Sequence, residues 1–346
     1  MADRRHTERR GLSLGALAAG VGAVVGLKRA LRARYSFKGR TVLITGGSRG
    51  LGLVMARLFL KEGARVAICG RDVDSLRRAH ADLEQLGGEV LSLRCDVRDQ
   101  VQVDAMVGAV HERWGAVDVL INNAGVIMVG PLESMTLEDF EEAVDIHLWG
   151  PLYTTLAVVP AMKARGEGRI VNVSSMGGKL SIPHLVPYSA SKFALVGLSD
   201  GLRTELAQDG IRVTTACPSL IRTGSPRNAT FKGDHEKEYA WFHVGNSMLG
   251  LSMSAERVAR KIIEACRRGD AEALVGMPAK LGAVGRALAP NLTARVLDVA
   301  NRLLPQDSTP ERHKGSESET PLTRSWLTEL SRRAAERNNE NGVSLH

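Results

Sequence analysis

The sequence predicts an α/β fold, one doubly wound parallel sheet of about seven strands with helices on both faces. Three observations predict it. Short apolar runs rich in Val, Ile and Leu alternate with helix-length amphipathic stretches from residue 39 to residue 275. The runs are apolar throughout instead of alternating with polar residues, as strands buried on both faces are. The first run also feeds straight into a glycine-rich turn, Gly46-Gly47-Ser48-Arg49-Gly50-Leu51-Gly52, that opens a helix.

Residues 40–45 (RTVLIT) form the first strand. A glycine-rich turn at that place lets backbone amides approach a pyrophosphate at the helix N-terminus. A second strand, 65–69, ends at Gly70-Arg71. Sites that bind the free 2′-hydroxyl of NAD put a carboxylate at this strand end. Here Arg71, joined by Arg49 from the turn, offers two guanidiniums suited to a 2′-phosphate, which favours NADP(H) over NAD(H). Asp72 reads as the N-cap of a helix over 73–86. Next come a strand at 90–95, a helix over 99–114, and a strand at 117–121 that ends in Asn122-Asn123-Ala124-Gly125. A long helix over 137–165 precedes the strand 169–173. After the helix that opens at Tyr188, a strand at 212–216, a helix near 255–268 and a short strand at 272–275 close the pattern. Right-handed crossovers bring the carboxyl ends of all these strands to one edge.

The densest chemistry lies between Ser174 and Lys192. Tyr188 and Lys192, four apart, share one helical face. A phenol has an unperturbed pKa of about 10, and a fixed cation beside it is expected to bring that value down towards the working range. Ser175 stands thirteen residues upstream of Tyr188 at a strand end, placed to hydrogen-bond a substrate oxygen. Phenol, ammonium and hydroxyl together suit proton transfer at an oxygen while hydride moves at the adjacent carbon.

On these residues, the stretch from about 38 to 276 resembles the short-chain dehydrogenase/reductase family in its single-domain form. Thr45-Gly46-x-x-x-Gly50-x-Gly52, Asn122-Asn123-Ala124-Gly125, Ser175, Tyr188-x-x-x-Lys192 and the Pro218–Thr223 segment match its motifs in order. The resemblance implies a Rossmann-like domain that interconverts a carbonyl and a secondary alcohol, with Ser175, Tyr188 and Lys192 catalytic. It implies cofactor contacts from Thr45, Gly46, Ser48, Arg49, Gly50, Leu51, Gly52 and Arg71, with Asp96 and Val97 by the adenine. Asn123, Ala124, Gly125, Pro218, Ser219, Ile221 and Thr223 complete that site with Tyr188 and Lys192. It also implies a homodimer or homotetramer through the helices over 137–165 and 188–207. Two positions depart from the family pattern. His147 stands where an Asn usually holds a water that relays protons to the Lys, and the imidazole is expected to serve that relay as a fourth catalytic group. Ser219 stands where Gly usually follows the Pro, and is expected to reshape the loop over the nicotinamide.

The net charge of +8 is not a nucleic-acid signature, because residues 1–40 hold ten basic and two acidic side chains and so carry all of it. The four cysteines are scattered, with no metal-ligand spacing, which predicts buried thiols in a reducing compartment and no metal. Residues 11–27 form a seventeen-residue run without a charge, flanked by Arg and Lys. Short for a span, it is expected to associate the protein with a membrane and leave the catalytic domain in the cytoplasm. A cleaved signal peptide or a soluble cytoplasmic protein with a surface extension are the alternatives. The expected organisation is thus a basic, hydrophobic segment at 1–37, the catalytic domain at 38–276, an amphipathic helical extension at 277–305, and a polar, largely disordered tail at 306–346 with a short helix near 327–337. Phe231, Tyr239, Trp241 and Phe242 in 224–250 suggest a lid over an apolar substrate, or else the packing of a small helical subdomain. The predicted function is NADP(H)-dependent oxidoreduction of a small, fairly apolar carbonyl or alcohol that is lipid-, sterol- or long-chain-like. Its rival is a weakly catalytic nucleotide-binding membrane scaffold or redox sensor.

Overall fold

The computed structural model describes residues 35–248, 251–325 and 328–340, and those from Ser36 onward belong to one unit. Seven strands form its sheet: β1 (Thr41–Thr45), β2 (Arg65–Gly70), β3 (Val90–Arg94), β4 (Val119–Asn122), β5 (Gly168–Val173), β6 (Ile211–Pro218) and β7 (Glu272–Val275). All pair in parallel, in the order β7-β6-β5-β4-β1-β2-β3. The order reverses between β1 and β4, the switch point at which such sheets open a crevice beyond their carboxyl ends. β1 and β4 are buried at every position, as runs apolar on both faces must be.

Helices α1 (Gly50–Lys61), α2 (Val73–Glu84) and α3 (Gln100–Trp114) link the first four strands. Asp72 caps α2 as its sequence suggested, accepting from the Ser75 amide at 2.7 Å. The predicted long helix is interrupted. α4 (Leu137–Val144) and α5 (Gly150–Arg165) are joined by a π-helical turn, Asp145–Trp149. The cause is Pro151, which has no N–H for the carbonyl four residues back, that of His147. The chain widens there, and the Gly150 amide bonds Asp145 instead.

α6 (Val186–Leu206) carries Tyr188 and Lys192, and a buried polar chain lies beneath it. The Asn122 amide on β4 donates to Asn172 on β5 at 2.9 Å, and Thr154 on α5 donates to Asn122 at 2.7 Å. Asn172 donates to Ser199 on α6 at 3.1 Å, and Thr215 on β6 reaches the same hydroxyl at 2.7 Å.

The expected lid at 224–250 is largely the second alternative, a small subdomain. Thr230–Phe231 pairs with Met128–Val129, and α7 (His235–Ser247) packs behind it. Phe231, Tyr239 and Phe242 share a buried cluster with Val129 and Leu185. α8 (Ala255–Arg268) covers the sheet, and α9 (Met277–Leu288) and α10 (Pro290–Arg302) form the expected amphipathic extension, with Leu281, Leu288, Leu292, Val296 and Leu303 exposed.

The tail departs from expectation through most of its described length. His313–Lys314 pairs antiparallel with Thr230–Phe231, and α11 (Glu329–Arg337) follows, its Ser331 hydroxyl 2.8 Å from that of Ser247 on α7. Polar and ionic contacts hold it, among them Arg312 to Asp139 at 2.6 Å, and these leave no hydrophobic periodicity to read. The run at 11–27 lies outside the described residues, among which no helix is long and apolar enough to cross a membrane.

Candidate active site

Two cavities meet over the carboxyl ends of the strands. The larger, about 380 Å³, runs from the glycine-rich turn past Arg71 and Asp96 to Ala124. The smaller, about 200 Å³, is lined by Ser175, Tyr188 and Lys192 with the apolar Ile182, Leu185 and Phe242. Both are bordered by Leu51, Asn123 and Gly125, so they form one groove.

The glycine-rich turn is tied to β4 by side chains the sequence singled out. Thr45 Oγ1 accepts from the Asn123 and Ala124 amides at 3.0 and 3.1 Å. Asn123 Nδ2 donates to the carbonyls of Thr45 and Gly46, both at 3.1 Å. Gly46 (φ +63°) and Gly50 (φ +57°) adopt the left-handed backbone such a turn needs. A Cβ at Gly52 would stand 2.6 Å from Asn123 Nδ2. Arg49 donates to Asn228 at 2.8 Å, and burial, then the nearby Arg71, lowers its pKa against the pull of Glu340. Arg71 is half-exposed, 4.0 Å from Asp96, whose closer partner is Arg98. Val97 packs against Gly150.

At the junction of the cavities the Ser175 hydroxyl stands beside the Tyr188 phenol and favours its ionised form. Gly177 makes room for this, since a Cβ there would lie 2.9 Å from the Tyr188 ring. The Lys192 ammonium donates to the Val173 carbonyl at 3.0 Å and sits 5.8 Å from the Tyr188 ring centre. The expected lowering of the phenol pKa does not occur in this protein-only site. Burial pushes Tyr188 up to about 12, against the opposing pull of Ser175, and pulls Lys192 down to about 7. Desolvation outweighs the cation that the sequence reading invoked.

His147 is fully buried with both ring nitrogens engaged. Nε2 accepts from the Val126 amide at 3.1 Å, so the proton is on Nδ1, which donates to Ser191 Oγ at 2.8 Å. Burial, then Lys192, holds its pKa well below the usual histidine range. The expected relay therefore has no free nitrogen to work through. Ser219 is accommodated by a glycine: its buried hydroxyl lies where a Cβ at Gly276 (φ +104°) would fall. Thr223 Oγ1 accepts from the Ser225 amide at 3.2 Å, and Ile221 pairs with Met253 beside the smaller cavity. Pro218 ends β6 at the edge of the same cavity.

The depressed Lys192 predicts a pH effect on stability. An unfolded lysine keeps its proton to about 10.4. Between pH 7 and pH 10 the unfolded chain thus binds the extra proton, and rising pH favours the fold. Without cofactor, the wild type is expected to gain stability relative to Lys192→Met across that window in urea titrations at stepped pH. A constant difference between the two would mean that Lys192 keeps its ordinary pKa.

Sequence reasoning missed Ser75, Asn228, Asn339 and Glu340, which also border this groove or bond to its edge. No local signal marks them, because each reaches the site through tertiary contact.

The model of the short chain dehydrogenase family matches residues 40–232. Dehydrogenase/reductase SDR family member 7B of Danio rerio is 34% identical over 300 residues, 83% of this chain and 94% of that one. Among solved structures, L-sorbose reductase of Gluconobacter frateurii with NADPH and L-sorbose aligns with a TM-score of 0.64 and 27% identity, over 70% of this chain and 97% of that one. Gluconate 5-dehydrogenase of Burkholderia cenocepacia with NADP and tartrate aligns at 0.61 and 26%, over 70% and 95%.

Proposed function

Because this chain belongs to the short-chain dehydrogenase/reductase family and is an NAD(P)-dependent oxidoreductase, we propose that it reduces the carbonyl of a fairly apolar substrate with NADPH. The observation that carries the reading is the junction of the two cavities, where Ser175, Tyr188 and Lys192 converge. The residues fit a dinucleotide. Glycines open the turn, α1 points its N-terminus at the groove, and Arg49 and Arg71 border the same cavity with two guanidiniums suited to a 2′-phosphate. The two structural relatives carrying NADPH or NADP support that preference.

When bound, the reduced nicotinamide supplies hydride to the carbonyl carbon. Ser175 holds the carbonyl oxygen by hydrogen bond, and Tyr188, a neutral phenol at about pH 7 that burial makes harder still to ionise, gives that oxygen its proton. Lys192 then favours the phenolate that remains and would hold the nicotinamide ribose. His147 acts as a positioning residue, fixing Val126 and Ser191 beside the reacting groups. The apolar lining from Met176, Ile182, Leu185, Leu220 and Phe242 suits a lipid-like or long-chain carbonyl. The uncharged run at 11–27 and the exposed apolar row on α9 and α10 support membrane association, which flotation with vesicles checks; light scattering checks the expected dimer or tetramer.

NADPH oxidation against a panel of ketones and aldehydes of increasing chain length tests the proposal. Turnover with NADPH well above that with NADH, rising with chain length, is expected. Equal use of the two cofactors removes the 2′-phosphate assignment, and no turnover with any carbonyl removes the reaction.

A further inference from the structure

The last described residues of the tail enter the nucleotide groove. The Asn338 carbonyl accepts from the Gly50 amide, the first of α1, at 2.9 Å. The Glu340 carboxylate takes the Gly224 amide at 2.6 Å and the Ser225 hydroxyl at 3.5 Å, and the Glu340 carbonyl takes Asn228 Nδ2 at 3.3 Å. One carboxylate oxygen stands 2.9 Å from where a Cβ on Gly50 would be. Asn339 (φ +57°) donates to the carbonyls of Ser48 and Ser75 at 2.8 and 2.9 Å and accepts from Arg78 at 2.7 Å. Arg57 holds Asn338 Oδ1 at 3.0 Å and the Arg337 carbonyl at 2.8 Å.

Resting on the nucleotide-site reading above, we propose that Asn338-Asn339-Glu340 is a strap that occupies the dinucleotide's pyrophosphate subsite in the free protein and must withdraw for the cofactor to seat. Two features make it a stand-in for a phosphate instead of a wall. It takes the helix N-terminal amide that a glycine-rich turn leaves open for an anion. It also sets a carboxylate, only 5% exposed, between the glycine-rich turn and the Thr223–Ser225 segment, in the cavity the nucleotide would fill. A carboxylate and a pyrophosphate cannot share that volume, on grounds of both bulk and like charge. The strap is poised for release: burial raises the Glu340 pKa to about 7, despite the Gly224 amide, Arg49 and Ser225, so its charged form is held at a cost. α11 stays docked through buried Ser331, Ala334 and Ala335, which leaves Asn338, Asn339 and Glu340 as the part that moves among the described residues.

NADPH binding is to be titrated by fluorescence for the full chain, Glu340→Ala, and a chain ending at Arg337 that retains α11. Affinity is expected to rise about tenfold or more on truncation and several-fold in Glu340→Ala. In the full chain, hydrogen exchange at 338–340 is expected to be slow alone and fast with saturating NADPH. Should truncation destabilise the fold, Glu340→Ala and the exchange experiment decide alone. Equal or weaker binding without the strap, or protection that persists with NADPH, overturns the proposal and makes the strap a wall of the site. A full chain and variants that are folded yet bind no NADPH would instead sink the nucleotide-site reading itself.

Discussion

Tyr188→Phe is expected to lower kcat for carbonyl reduction about a thousandfold, within the range a positioned general acid contributes, with NADPH affinity nearly unchanged. The substitution removes one oxygen and keeps the ring, so the packing against Gly177 and the edge-to-face contact with His147, 5.5 Å between ring centres, survive. The Ser175 hydroxyl keeps its bond from the Gly177 amide at 3.1 Å. Stability should therefore change by only about 1 kcal/mol. Single-turnover kinetics with saturating NADPH make the check. A variant that keeps a tenth of the rate would show that the proton comes from another group, and Lys192 would be the next to replace.

The largest stability effect is expected away from the groove, at Asp139→Ala. Asp139 is fully buried and gathers Lys232 at 2.5 Å, Arg312 at 2.6 Å and the Thr136 amide at 2.8 Å. Burial alone would raise its pKa, but the Lys232 hydrogen bond, the Thr136 amide and Arg312 outweigh it and the carboxyl titrates below its usual range. Lys232 is only 2% exposed, with the Ser134 carbonyl at 3.2 Å as its other acceptor. Without Asp139 an ammonium is left buried and unpaired, which costs on the order of 3–5 kcal/mol. Urea unfolding is expected to record that loss, and Asp139→Ala with Lys232→Met to recover much of it, because two apolar groups bury without a charge to compensate. A loss below 1 kcal/mol would mean that Lys232 reaches water in the variant.

What the sequence made legible follows from the range of the forces involved. Strands such as 40–45 announce themselves by their apolar runs, and the Thr45–Gly52 and Tyr188–Lys192 motifs each lie within a few residues of chain, so spacing alone places their groups together. His147 was legible as a position but not as a role, because its two bonds run to Val126 and Ser191, residues remote in sequence. The titration of Tyr188 was misjudged since spacing reveals a neighbouring cation but not how completely water is excluded. The tail was least legible. Arg312 meets Asp139 across half the chain's length and Asn339 meets Ser48 across most of it, through single polar contacts that leave no periodic trace.

The polar chain from Thr154 through Asn122, Asn172 and Ser199 to Thr215 acts as a proofreading device for the sheet. Apolar strands discriminate poorly between registers, since one Val or Ile fits a neighbouring seat almost as well as another. Slipping β5 by one residue would turn Asn172 to the other face and take away the acceptor of the Asn122 amide and a donor to the Ser199 hydroxyl. Each group left unbonded costs about 1–3 kcal/mol, so an error at the centre is rejected by what it lacks more than by what the correct sheet gains. The few polar residues that interrupt these strands are thus the ones that decide which carboxyl ends stand side by side, and with them whether Ser175 and Asn123 face the same groove.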